Sequence, residues 1–513
     1  AITDLGLEEP VAVLDAPLRF FVELWAAGAQ PLEGLSLELQ IDGQLVRSLP
    51  VSLEAGERAR FTVIGTVGEP GVHHARATLR GDELEVDSVR DFAFEVREGV
   101  SVLVVDGEPG DEPWEGETDF LLAALAPEPG AHLQGDDIFA PRRITEAQLA
   151  DEKLEGVDVI VLANVIAIGA EQAERIERWV REGGGLLFAT GDQVDPRVWN
   201  ELWWRDGKGP LPAQLGPTVR SPDEESYFVL EPLVFSHPAL APFAPREMRT
   251  LLTEPRWVAY TRLVPGEPAG DRTVLTRFAP RRLTEAGGLE ASSTGRAQDP
   301  ALVQRRVGRG EVVLYASALD AAWSNFYYKP GYVILWRRLL ASLAAAGEPR
   351  RNLRVGEPFE RTIAARDYVP EVTLITPDED RVDKTLEPID EARSEFRLVH
   401  EDTARPGFYR IEFRSRTAAA TGERARKRGD GFAVHVDPRR ESVLDAIDTD
   451  TLRTVLVPEV FEIRSLETAG AGPGAAVRGE AEGEISRGLL LAVMGLLFGE
   501  SALGCWFGRR AAR

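Results

Sequence analysis

The spacing of apolar positions changes character several times along this 513-residue chain. Across residues 1–98 the apolar residues fall in short, partly alternating runs at 18–25, 35–41, 44–49, 60–66, 73–79 and 91–96, separated by turn residues. Period-two alternation marks strands with one buried face, and Asp42-Gly43 is a hairpin dipeptide, so this part predicts an immunoglobulin-like β-sandwich. From 99 to 348 the runs become continuous: SVLVVD at 101–106, VDVIVLA at 157–163, LLFAT at 186–190 and VVLYAS at 312–317. Strands buried on both faces of a parallel sheet read this way. Helical stretches lie among them, at 117–125, 171–181 and 332–346; in the second, Ala173, Ile176, Trp179 and Val180 recur at helical spacing before a glycine stop at 183–185. The whole predicts an α/β, flavodoxin-like parallel sheet.

Residues 196–300 form an insertion in that domain, rich in Trp, Pro and charge. Its Trp199, Trp203, Trp204 and Trp257 suit a cap packed over the strand ends, with an exposed sugar- or protein-contacting surface as the alternative. Strand signals return within 349–438, at 362–364, 371–375, 396–400, 407–413 and 431–436, and predict a second, small β-sandwich. Residues 439–484 read as a linker, with a helical piece at 442–455 and a Gly/Ala/Glu-rich run at 469–484.

The apolar stretch at 485–508 has the length of a transmembrane helix. Arg509, Arg510 and Arg513 follow it and an acidic linker precedes it, which predicts a cytoplasmic tail at 509–513, with the bulk of the chain outside the cytoplasmic membrane. Glu500 interrupts the run and shares a helix face with Leu496, Leu497 and Gly504. A carboxylate beside a small residue predicts contact with a second membrane helix, so other envelope or membrane proteins are the expected partners.

Charge sharpens this picture. A formal net charge of −25 repels nucleic-acid phosphates, and the only basic run, from Arg424 to Arg428, reads as a solvated loop, so no nucleic-acid partner is expected. One cysteine, Cys505, excludes an internal disulfide framework. His73 and His74 are neighbours in a predicted strand and point to opposite faces, which argues against a two-histidine metal site. The chain begins at Ala1 without an initiator methionine and reads as the C-terminal part of a longer protein. Nothing in it implies a cofactor.

Candidate chemistry gathers where the continuous strands end. Asp106 and Glu108 follow the first, Asn164 the second, Asp192 and Gln193 the third, and Asp320 the last. In an open parallel sheet these positions share the C-terminal edge, where ligands bind. Carboxylates there can work as an acid/base pair, ligate a hard cation, or simply cap helices and turns.

The stretch GGGLLFATGDQVD at 183–195 resembles the class I glutamine amidotransferase-like superfamily, in which a glycine-rich turn, a strand and a tight turn present a nucleophilic cysteine. Laying Gly191 and Gln193 on that family's Cys-x-Gly-x-Gln elbow puts Ala189 at the cysteine position, and no His-x-Glu pair follows the last strand. Without thiol and base the resemblance implies an inactive domain. The opening segment is similar to adhesion-related β-sandwich modules of bacterial surface proteins. The module order, carried by VLVVDGEPG at 102–110, GETDFLLAALAPE at 116–128, FAVHVDPRRES at 432–442 and FGRR at 507–510, resembles the C-terminal portion of bacterial BatA and von Willebrand factor A-type membrane proteins. Those proteins carry a metal-binding Asp-x-Ser-x-Ser domain that this chain lacks. The resemblance implies a non-enzymatic, membrane-anchored scaffold of the bacterial envelope. A hydrolase, or a metal- or carbohydrate-binding protein using the strand-end carboxylates, is the alternative.

Overall fold

The computed structural model of the chain describes residues 1–26, 31–81, 87–127, 138–266, 271–283, 289–291, 298–365, 368–389, 395–415 and 429–437. The predicted linker at 439–484, the apolar stretch at 485–508 with Glu500 and Gly504, and the tail at 509–513 lie outside them. Among the described residues no helix is long and apolar enough to cross a membrane. The architecture is multidomain and strand-rich, with three large hydrophobic cores.

In the first module a three-stranded sheet, Ile2–Leu7, Leu18–Trp25 and Arg58–Gly65, faces a five-stranded one. Leu18, Phe20, Val22 and Leu24 are buried while the residues between them are partly exposed, so the alternation of the sequence becomes the inner face of a sandwich. Asp42 and Gly43 both adopt positive φ, 50° and 80°, and close the hairpin between Leu32–Ile41 and Gln44–Leu53 as a two-residue primed turn.

The central module holds β1 (Val100–Asp106), α1 (Asp119–Leu125), β2 (Phe139–Thr145), β3 (Val159–Ala163), α2 (Ala170–Arg181) and β4 (Gly185–Ala189). It continues with α3 (Pro196–Trp199), β5 (Ala213–Arg220), β6 (Ser226–Pro232), α4 (Arg246–Thr253) and β7 (Ala259–Pro265). Last come β8 (Arg272–Leu283), β9 (Pro300–Val307), β10 (Gly310–Tyr315) and α5 (Pro330–Ala344). The sheet runs β2-β1-β3-β4-β10-β9-β8-β6; the first five strands are parallel and the rest antiparallel. β3 and β4 are buried at every position, as their uninterrupted apolar sequences require. Gly185 lies against Leu343 of α5, whereas Phe188, three residues on and therefore on the other face, packs edge-on to Trp199 at 4.6 Å. The indole of Trp203 donates to the Ala173 carbonyl of α2 (3.4 Å). One layer thus contains α5 and the other α2 with the tryptophans.

Two features depart from expectation. β2 is a fifth parallel strand; its sequence, FAPRRIT, carries two arginines and a proline because it is the sheet's edge and is largely open to solvent. The 196–300 insertion is more than a cap, since β6 and β8 extend the main sheet beyond β9 while β5 and β7 pair separately. Trp199, Trp203, Trp204 and Trp257 are all buried, in line with the packing role and not with an exposed sugar platform.

The third module again pairs two sheets, a five-stranded one containing Gly407–Ser415 and Gly429–His435 and a three-stranded one containing Phe359–Ala364 and Glu395–His400. Its core is an aromatic stack in which Phe432 lies 4.2 Å from Phe359 and 4.7 Å from Tyr409. The modules meet around Arg351, which is 4% exposed. Its guanidinium binds Glu95 of the first module at 2.5 Å and Asp430 of the third, an aspartate that Arg361 also contacts. Beside it the Asn352 side chain accepts from the Ala93 amide (2.8 Å) and donates to the Ala93 carbonyl (2.9 Å). Arg97 bridges Asp158 and Glu348 at 2.9 and 2.8 Å. Removing one partner of a buried ion pair strands the other charge. Arg351→Met is expected to cost about 3 kcal/mol, the low end for such a loss because Arg361 remains beside Asp430. Urea denaturation checks this, and an unchanged midpoint would show that the guanidinium does not hold the junction.

Candidate functional site

β1 is flanked by β2 on one side and β3 on the other, so the chain leaves its C-terminal end at a topological switch point, the usual position of a ligand crevice. The turn after β1 is drawn tight against β3: the Gly107 amide donates to Ala163 (2.9 Å), and a Cβ at Gly107 would lie 2.1 Å from the Asn164 carbonyl oxygen. Only glycine fits there.

Asn164 organises the edge. It takes the left-handed conformation at φ 52°, which asparagine tolerates better than most residues. Its Nδ2 donates to Glu108 Oε2 (2.9 Å) and to Asp192 Oδ1 (3.0 Å), and its Oδ1 accepts the Gln193 amide (2.9 Å). The turn after β4 comes so close that a Cβ at Gly191 would lie 2.2 Å from that Oδ1. One neutral side chain therefore joins the ends of β1, β3 and β4. Of Gln193 only the backbone takes part in this joint.

Asp106 is buried and accepts the Thr118 hydroxyl (2.6 Å) and the Glu108 amide (3.1 Å), which fixes the loop between β1 and α1. Asp320, beyond β10, accepts the Ala322 amide (2.9 Å). It reaches the others through charge: its carboxylate, like that of Asp192, raises the proton affinity of Glu108. The sequence-predicted residues Asp106, Glu108, Asn164, Asp192, Gln193 and Asp320 thus share one edge, with Asp320 joined to it by field and not by a direct bond.

Sequence reasoning missed Glu117. It is 1% exposed, and its Oε1 accepts the Leu319 amide (2.6 Å), tying the β1–α1 loop to the segment after β10. Its Oε2 is buried with no hydrogen-bond partner. Burial, then the charges of Asp320, Asp106 and Glu108, push its pKa well above the usual carboxylate range. Burial and then the neighbouring carboxylates also raise Glu108, and burial followed by the charges of Asp192 and Asp106 raises Asp320. In the sequence Glu117 stands just before a helix, where an acidic residue ordinarily means nothing more than a solvated first turn.

Ala189, at the elbow position of the resemblance, ends β4 with 0% exposure, in register with Ala163 on one side and Tyr315 on the other. A side chain there points into the packed module, and the Thr190 hydroxyl that follows is buried as well. Among the described residues no three His, Cys, Asp or Glu side chains are grouped as a metal ion would need. His73 and His74 lie in the first module and contact separate carboxylates, Asp42 and Asp91.

No family model and no curated protein matches the chain. Among solved structures it is similar to a cytoplasmic protein from Salmonella typhimurium LT2 (17% identity over 48% of this chain and 99% of that one, TM-score 0.33). It is also similar to a ThuA-like protein from Bacteroides uniformis (12% identity, 47% of this chain and 91% of that one, TM-score 0.29). A third similarity is to the CARDB domain of a Pyrococcus furiosus protein (20% identity, 18% of this chain and 93% of that one, TM-score 0.17). None of these carries the functional argument.

Glu117 makes a testable contribution to stability. Because folding raises its pKa, the folded state keeps a proton that the unfolded state releases, so the stabilisation is complete below the ordinary value of 4.5 and is lost as pH rises toward the folded value. Relative to Glu117→Gln, which stays neutral, the wild-type chain should lose thermal stability progressively as pH rises above the ordinary glutamate value of 4.5. Parallel melting curves would contradict the buried-acid assignment.

Proposed function

We propose that this chain is a non-enzymatic, membrane-anchored protein of the bacterial envelope, of the BatA and von Willebrand factor A-associated type. Its bulk lies outside the cytoplasmic membrane, where an immunoglobulin-like sandwich, a second small β-sandwich and an amidotransferase-like domain without its nucleophile bind other proteins. Ala189 carries the reading: an alanine with no exposed surface stands where that superfamily places its cysteine. The arginine joint between modules supports it, since a scaffold needs its docking faces held in fixed relation. The apolar sequence at 485–508 supplies the anchor, and Glu500 with Gly504 the contact to a partner helix.

A second reading has one specific observation behind it. Glu117 and Asp320, both with raised proton affinity at a sheet's C-terminal edge, are the kind of groups that serve acid/base chemistry or ligand binding. Hydrolysis by that edge is the corresponding enzyme hypothesis.

Two measurements on the full chain test the proposal. Incubated with glutamine, neither the wild-type protein nor Ala189→Cys should release ammonia, because a thiol there lacks both a base and access; turnover abolished by Asp192→Ala would establish the enzyme reading. In membranes, Glu500→Leu should leave insertion intact and reduce co-purification of partner proteins by severalfold. Undiminished association would remove the proposed helix contact.

A further inference from the structure

α5 is apolar on more than the face it gives to the sheet. Leu335, Leu339 and Leu343 recur at helical spacing and are buried, with Leu343 against Gly185 of β4. Ile334, Arg337, Arg338 and Ala341 recur at the same spacing half a turn away, and Val333 stands beside them. This second face meets residues 9–19 of the first module, and the fit is incomplete. A cavity of about 450 Å³ remains, walled by Val11, Ala16 and Pro17 of the first module, Met248 of α4, and Val333 and Ile334 of α5. That volume falls within the range of about 300–1,000 Å³ typical of small-molecule sites, which are mostly apolar with a few polar groups. Val333, at 41% exposure, leaves an apolar side chain in the middle of a helix without full cover.

The polar groups on this cavity are Glu9, Arg19, Arg337 and Arg338. Arg337 donates to the Ala124 and Leu125 carbonyls at the end of α1 and lies over the Phe139 ring, so it is committed there and stands outside the charge count. Arg19 and Arg338 share one carboxylate: Glu9 Oε1 lies 2.7 Å from Arg19 Nη1 and 3.8 Å from Arg338 Nη2. The other acceptor of Arg338 is the neutral Glu8 carbonyl. Two guanidiniums against one carboxylate leave a positive charge in excess, in a chain whose formal net charge is −25. Each guanidinium has five N–H donors, and among the described residues Arg338 finds no acceptor beyond these two.

Apolar walls and excess guanidinium together select a ligand class. An alkylammonium would bring a third cation to the two arginines. A neutral alcohol or ester leaves the excess charge unmatched. A phosphate ion or an acidic peptide matches the charge but makes no use of the apolar walls. A carboxylate on an alkyl chain uses both, because a guanidinium takes a carboxylate through two parallel hydrogen bonds while the chain fills the cavity.

We propose that this cavity binds a fatty carboxylate, its head at Arg338 and Arg19 and its alkyl chain between α5, α4 and the first module. The site lies apart from the strand-end edge of the central sheet, goes beyond the scaffold reading, and holds whether or not the chain is membrane-anchored.

Photolabelling of the full chain with a diazirine-bearing decanoic acid tests the proposal, in membrane vesicles or in solution, so its outcome is separate from that of the scaffold reading. Mass spectrometry of the digested chain should place the adduct on peptides containing Met248 or Val333 and Ile334. Decanoate should compete with the label, whereas decylamine and methyl decanoate should compete about tenfold less or worse. Arg338→Gln should weaken competition by decanoate about tenfold, the loss of a charge-assisted hydrogen bond, without changing that by methyl decanoate. Arg19→Gln, at a half-exposed position, repeats the charge test with a smaller effect of about threefold should Arg338→Gln fail to fold. Val333→Asp, which puts an anion on an exposed stretch of the cavity wall, should reduce labelling about tenfold with an unchanged melting temperature. Adducts confined to other peptides, equal competition by decylamine, or undiminished labelling in folded Val333→Asp would overturn the proposal. So would undiminished competition by decanoate in a folded arginine variant.

Discussion

A parallel strand buried on both faces has no room for polar groups along its length, so in the central strands β1, β3 and β4 they are driven to the strand ends. β3 and β4 make the constraint plain: each is buried along its whole length, and the first polar side chains after them are Asn164 and Thr190. The rest of the edge follows. Gly107 and Gly191 let two turns close on Asn164, and that single amide then binds two carboxylates and a backbone amide. The result is an ordered edge whose charges are arranged but not cancelled.

The outer modules hold this edge in a defined setting. Arg351 is buried between Glu95 and Asp430, and Asn352 pairs with both backbone groups of Ala93 much as a neighbouring strand would. His74 of the first module stacks on Phe408 of the third with ring centroids 4.4 Å apart. Burying charges costs desolvation, and the compensation here is geometric specificity at the joint.

Much of this architecture is legible in the sequence because burial writes directly into it. The continuous runs ending in Asp106, Asn164 and Thr190 announce central parallel strands, and Asp42-Gly43 announces its hairpin. The signal fails where burial is partial. β2, at the edge, has the mixed composition of a loop, and β6 and β8 sit inside a segment whose charge and tryptophans read as a cap. The edge itself is half legible. Residues that directly follow strands can be located from the strands alone, whereas Glu117 reaches it through the fold of the β1–α1 loop, bonded to Leu319 some two hundred positions later. No local pattern distinguishes that glutamate from an ordinary solvated one.

The account turns on uncompensated acid at the strand ends, and Glu117 is its most direct reporter. Infrared difference spectroscopy comparing wild-type chain with Glu117→Gln at a pH just above the ordinary glutamate value of 4.5 detects the carbonyl stretch of a protonated carboxyl group, which acids of ordinary proton affinity contribute less. The raised proton affinity of Glu117 predicts such a band in the wild type and its loss in the variant. Identical spectra in that region, with Glu117 ionised like an exposed glutamate, would contradict it.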